Sequence, residues 1–137
     1  MSIRYKIFPE KKLVYALMED GIKNEDIFQH WETLARDPQY IAPMKKLIDC
    51  RRCDRFGPSN EQIEKFLGQK VELLEKFKGE ISASIVNNDL DFSTSRIFGT
   101  HIGMYGLEMH VVRSLSAALK VLGVELSADD LAFDWPL

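Results

Sequence analysis

Cys50-Arg51-Arg52-Cys53 has the spacing of a redox pair or of half a metal site. Flanking arginines favour a thiolate, the reactive form of cysteine. A redox pair usually sits at a helix start, however, and the next helix signal here is further along, at Ser59. A structural zinc site needs four ligands, and the sequence carries no second cysteine pair. The plainer expectation makes Cys50 a small strand residue and Cys53 a loop residue, with no metal and no cofactor. Arg51, Arg52 and Arg55 crowd the same loop, just before Ser59 and Asn60. With the N-terminus of the following helix they form a candidate anion- or partner-binding loop. Asp49 and Asp54 are available as counter-charges, so a solvated loop is the competing reading.

Other reactive types are scattered. His30, His101 and His110 fall on three separate segments, without a second histidine at ligand spacing. His110 would share a sheet face with Ser82 and Ser84 if their strands were neighbours. A serine nucleophile would then need hydrogen-bond contact with the histidine and a third, orienting group. Nothing in the spacing provides these, and no catalytic residue is assigned; the expectation is a chain that is not an enzyme. Arg96 is a candidate partner contact, with a surface salt bridge as the simpler role.

The elements that must position these residues alternate between strand and helix periods. Ile3, Tyr5 and Ile7 alternate with Arg4, Lys6 and Phe8, which predicts a first strand. Pro9-Glu10-Lys11 is a turn and residues 12–19 are a second strand. So short a connection forces an antiparallel hairpin. Asn24 is the expected N-cap of a helix carrying Ile27, Phe28, Trp31 and Leu34. Residues 44–50 read as a third strand. A long helix follows from a capping box at Ser59 and Gln62, with Ile63, Phe66, Leu67, Val71, Leu74 and Phe77 inward, ending at Gly79. Residues 80–87 are a fourth strand. Asn88 or Asp89 caps a third helix with Phe92, Ile97, Phe98, Ile102 and Tyr105 inward. Residues 107–113 are a fifth strand, and Ser114 caps a short last helix ended by Gly123.

The expected fold class is therefore α/β: a five-stranded, mostly parallel sheet with an antiparallel first strand, in the order β-β-α-β-α-β-α-β-α, with helices mainly on one face. Strand parity predicts one apolar face, bearing residues such as Ile3, Tyr5, Leu13, Tyr15, Ile48 and Ile81, under all the helices. The other face would be mixed and half open. Helices on a single face imply a monotonic strand order, without the crevice where open α/β sheets bind nucleotides.

The 137 residues suit one domain, spanning 1–123, with an apolar and acidic tail at 124–137. Leu126, Leu131, Phe133, Trp135 and Leu137 give that tail enough apolar area to pack on the domain or on a partner subunit. The candidate face for the tail, a ligand or a dimer comprises Phe8, Val14, Met18, Leu47, Val86, His110, Val112, Phe133 and Trp135. The formal net charge of -3, from 18 basic and 21 acidic residues, argues against a nucleic-acid module. Arg4 and Lys6 interrupt what a secretory signal would need to keep apolar, and no stretch approaches a membrane span. A cytoplasmic location is expected.

Leu47-Ile48-Asp49, the segment from Ile85 to Phe98 (Ile-Val-Asn-Asn-Asp-Leu-Asp-Phe-Ser-Thr-Ser-Arg-Ile-Phe) and the closing run from Val111 to Gly123 resemble the SpoIIAA-like (STAS-like) proteins of bacteria. The resemblance covers residues 3–123 and implies a STAS/SEC14-like fold. It also implies a non-enzymatic binding or regulatory module that recognises a protein partner, since the anti-sigma-factor antagonists act by binding a protein kinase. Those antagonists are phosphorylated on a serine that corresponds here to Ser59. The surrounding Arg55-Phe56-Gly57-Pro58-Ser59-Asn60 departs from their Asp-Ser-Ser-Gly-like pattern, and Ser59 also reads as a helix cap. A homodimer is a further expectation. The SEC14-like side of the resemblance implies an alternative, a carrier of a lipid-like or amphipathic small ligand on the half-open face.

Overall fold

A computed structural model describes residues 3–53 and 63–133. Ser59, Arg55, Asn60 and Trp135 lie outside them. Strand β1 (Arg4–Phe8) and strand β2 (Leu13–Leu17) form an antiparallel hairpin, joined by a single 3-10 turn at Pro9–Lys11. Helix α1 (Asn24–Arg36) returns the chain to β3 (Lys45–Asp49), which pairs parallel to β2. Helices α2 (Ile63–Gly68) and α3 (Val71–Glu75) lead to β4 (Ile81–Ile85). Helix α4 (Asp89–Gly103) leads to β5 (Glu108–Val112), and α5 (Leu115–Leu122) follows. The strand order is β1-β2-β3-β4-β5, monotonic as the single-sided crossovers require.

Local chemistry explains the boundaries. Ser114 accepts from the Ala117 backbone to cap α5, and Asn88 accepts from Asp91 to cap α4. At α1 the cap position falls on Lys23 rather than Asn24. The Asp26 carboxylate accepts from the Lys23 backbone at 2.8 Å, which fixes the start one residue earlier. The long second helix is two short ones, because Gly68 is a poor helix former and the turn breaks there. Val71 is consequently exposed, while Leu74 and Phe77 remain fully buried. In α4 the inward stripe is Asp91, Ser95, Phe98 and Ile102, not the stripe through Ile97, which is exposed.

The two sheet faces differ from the parity expectation. In the hairpin, Tyr5 pairs with Ala16 and Lys6 with Tyr15, so residues of the same parity on β1 and β2 point to opposite faces. Tyr5 and Ile7 therefore face α1–α4 together with Val14, Lys46, Ile48, Ser82, Ser84, Met109 and Val111. Leu13, Tyr15, Leu17, Leu47, Ala83 and Ile85 line the other face. The crossover rule binds only helices that join two parallel strands. Among the described residues α5 joins none, and it packs on that second face against β3 and β4. Val124, Leu126, Leu131 and Phe133 pack on the same face. Burying each of Leu13, Leu17 and Leu47 there stabilises the fold by about 1.5–3 kcal/mol. Among the described residues no helix is long and apolar enough to cross a membrane.

Candidate functional site

The C-terminal ends of β3, β4 and β5 converge on one edge of the sheet. β3 ends at Asp49, whose carboxylate is buried. Arg51 grips it as a fork: Nε donates to Oδ1 and one terminal nitrogen to Oδ2, both at 2.9 Å. The Arg51 backbone nitrogen also donates to Oδ1, at 3.1 Å. From β2, the Tyr15 hydroxyl donates to Oδ2 at 2.8 Å. Burial works against the Asp49 anion, but the Arg51 and Tyr15 bonds outweigh it and hold the carboxyl below its ordinary pKa. Burial and the Asp49 charge push the Tyr15 phenol well up, and the Asp49 bond raises Arg51. The group is thus locked as a carboxylate, a neutral phenol and a guanidinium.

The turn that follows is pinned from a second side. Asn87, just past β4, donates its side-chain amide to the Arg51 carbonyl, and the Cys53 nitrogen donates to the Cys50 carbonyl at 3.1 Å. Both cysteines are free thiols and both are buried. The Cys53 bond, then burial, pushes the Cys50 thiol well above its ordinary value, so the flanking arginines do not yield a thiolate there. Cys50 Sγ lies 3.8 Å from Ser84 Oγ. Cys53 belongs to the core rather than to an open loop, buried in the cluster under the helices.

Of the candidate loop, the structure brings Arg51 and Arg52 together; Arg55, Ser59 and Asn60 are beyond the described residues. Arg51 is committed to Asp49, which makes it an anchor rather than an open anion ligand. Arg52 is exposed. Both line a cleft of about 640 Å³ with Tyr15, Asp49, Leu115, Ala128, Leu131 and Ala132. Arg96 lies on α4, exposed, with its guanidinium carbon 5.8 Å from the Phe92 ring. Arg113, one residue past β5, covers the same ring at 4.7 Å and bonds Asp89 at 2.5 Å. Phe92 therefore links Arg96 to the strand-end edge through Arg113.

The residues expected on one half-open face are divided between both. Val14, Met18 and Val86 are buried in the cluster under α1–α4. Phe8, Leu47, Val112 and Phe133 belong to the opposite cluster, which α5 and residues 124–133 cover. That face is covered by α5 and the 124–133 segment rather than left half open. His110 pairs in register with Ala83, so it faces away from Ser82 and Ser84. It bonds Glu108 instead, at 2.6 Å. Groups of histidine, cysteine and acid able to hold a metal are absent among the described residues.

Sequence reasoning missed a buried polar cluster beneath α1. Lys46 is fully buried and its Nζ lies 2.6 Å from His30 Nε2. Burial, then Lys46, pushes the His30 pKa well below its ordinary value. Burial lowers Lys46 and raises Glu80, with their mutual attraction opposing both. The Tyr5 ring meets His30 edge-on at 5.4 Å, and its hydroxyl donates to Asp37 at 2.8 Å. Burial first, and Asp37 second, push the Tyr5 phenol up to about 12. The one available signal was Lys46 itself, a lysine in the middle of the central strand, where its register partners are Val14 and Ser82.

No family model matches the chain, and no curated protein matches it. Among the solved structures that resemble it, two illustrate the likeness. One is an uncharacterised DUF3478-family protein with a SpoIIAA-like fold from Shewanella loihica PV-4, at a TM-score of 0.57 and 19% identity, covering 88% of this chain and 92% of that one. The other is an anti-sigma-factor antagonist (STAS) domain protein from Planctomyces limnophilus, at 0.53 and 16%, covering 90% and 100%. The fold is SpoIIAA-like, as the sequence resemblance implied.

Proposed function

We propose that this chain is a non-enzymatic binding module that regulates a protein partner, and that it meets the partner at the C-terminal ends of its parallel strands. The pinned Arg51-Arg52 turn carries this reading. Asp49, Tyr15 and Asn87 fix the turn, and the exposed Arg52 borders the cleft. Arg113 and Arg96 extend the basic edge along Phe92. Arg55, Ser59 and Asn60 continue the same chain segment. Such an edge suits an acidic protein surface, whose charges would steer association and fix its register. The anti-sigma-factor antagonist name of the Planctomyces limnophilus protein supports a regulatory role over a catalytic one.

The test is quantitative affinity enrichment from the source organism, with wild type and Arg52→Glu compared side by side. Wild type should retain a protein partner, and the variant should retain about tenfold less of it, equivalent to about 1.4 kcal/mol. Both should melt at the same temperature. Equal retention by the two chains, or a co-purifying lipid with no protein partner, would sink the reading.

A further inference from the structure

Beyond α5, Gly123 turns the chain with a φ of 66°, and the following segment lies across the second sheet face. It carries its own small fold. The Ser127 nitrogen donates to the Asp130 carboxylate at 2.8 Å, and the Asp130 nitrogen to Ser127 Oγ at 3.2 Å. Leu131 and Ala132 nitrogens donate to the Ala128 and Asp129 carbonyls. These bonds, with the Lys11 and Lys6 charges, hold the Asp130 carboxyl below its ordinary range, the Ser127 backbone bond contributing most.

The segment is tied to the sheet by side chains. Phe133 stacks on Tyr15 at 5.7 Å between centroids, with Lys6 Nζ 5.0 Å and the Arg4 guanidinium 5.8 Å from its ring. Lys6 donates to the Asp130 carbonyl at 3.3 Å, and Lys11 to the Glu125 carbonyl at 2.5 Å. The strap is not a sixth strand; the sheet runs from β1 to β5. A half-exposed unit held this way opens at lower free energy than a core strand. What it covers is Tyr15, whose hydroxyl holds Asp49 and thereby the Arg51 fork. Leu131 and Ala132 line the same cleft as Arg51 and Arg52.

We infer that this strap is a built-in stand-in for a segment of the protein partner. The partner segment carries an acidic residue three positions before an aromatic, as Asp130 stands to Phe133. It takes the groove between Tyr15, Lys6 and Lys11 when the strap lifts, in contact with the Arg51-Arg52 turn. Charge complementarity selects it: the Asp130 carboxylate lies 4.0 Å from Lys11 Nζ, and the Lys11 and Lys6 charges both favour its anion. Closure by the strap lowers the apparent affinity by the fraction of molecules that are open. The inference rests on the partner-binding reading above.

Fluorescence anisotropy with a labelled peptide of residues 124–137, titrated into the full-length chain, tests it. A strap-released variant, Leu131→Ala with Phe133→Ala, should bind the peptide about tenfold tighter than wild type does. Adding Lys6→Glu and Lys11→Glu to the released variant should remove that gain. Equal binding by wild-type and released chains overturns the inference, as does a gain indifferent to the two lysines. If the released variant loses its cooperative melt, hydrogen exchange on wild type decides. Strap amides should then exchange about tenfold faster than those of β3; equal protection overturns the inference. An Arg52-dependent partner captured by a chain that fails the peptide test removes the groove and leaves the loop reading intact.

Discussion

Each face of the sheet sets a tyrosine hydroxyl on an aspartate at 2.8 Å: Tyr5 on Asp37 under α1, and Tyr15 on Asp49 under the strap. The first pair sits beside His30, Lys46 and Glu80, whose side chains are sealed by helices that also carry the main aromatic core. The second pair is joined by an arginine fork and opens into a cleft. The chemistry is alike, but the coverings differ. Helices α1–α4 lie in connections between neighbouring strands and cannot lift without unfolding the sheet, whereas among the described residues the strap joins no two strands. The sealed face thus carries stability, and the strapped face is the one that the proposed reading assigns to binding.

Four measurements would break or sharpen that contrast. The largest effect is expected at Lys46. Lys46→Ala leaves Glu80 buried without its counter-charge and should cost about 3–5 kcal/mol in a denaturant titration. Lys46→Met combined with Glu80→Gln should recover most of that loss. A cost under about 1 kcal/mol for the single variant would mean that the sealed face is not the stabilising one.

Asp49→Asn removes the charge that the Arg51 fork and Tyr15 engage, and should cost about 1.5–3 kcal/mol. Its signature should be local: faster amide exchange at Arg51 and Arg52 than in wild type. Exchange left unchanged there would separate the turn from its supposed anchor.

The pH dependence belongs to the sealed face. His30 is held neutral when folded but titrates near its ordinary value of about 6.5 when unfolded. The unfolded chain therefore binds the extra proton, and stability falls as pH drops below that value. One such proton gives a slope of up to about 1.4 kcal/mol per pH unit. Unfolding titrations of wild type and His30→Gln between pH 7 and 5 measure it, and the variant should show the shallower slope. Parallel slopes would place the acid sensitivity elsewhere.

Phe133→Ala should be the mildest. A half-exposed ring contributes only part of the about 1.5–3 kcal/mol of a fully buried one, so about 1 kcal/mol is expected by thermal melting. A loss as large as that of Lys46→Ala would make the strap part of the core and end the contrast.

Much of the fold was legible in local chemistry. The hairpin, the parallel crossovers, the Ser114 and Asn88 caps and the monotonic order follow from short connections and alternating periods. The candidate site was legible only in part. Arg51 and Arg52 were visible as a charged turn with Asp49 as a counter-charge, but Tyr15 and Asn87 come from β2 and the end of β4, which spacing along one chain does not connect. Ser82 and Ser84 looked like companions of His110 until register set His110 opposite Ala83.

The sequence by itself determined the elements, their order and the parallel sheet, because periodicity, caps and connection length act within a few residues. Tertiary structure alone decided which face each residue occupies. Parity alternates faithfully along a strand, but register between strands depends on the turn geometry, and one residue of slip exchanges the two faces. The β1–β2 register put Tyr5 and Ile7 on the face of Val14, and the β2–β3 register put Tyr15 on the face of Asp49. Likewise no local rule sends α5 to the second face; freed from the crossover constraint, it goes where apolar area was left to cover.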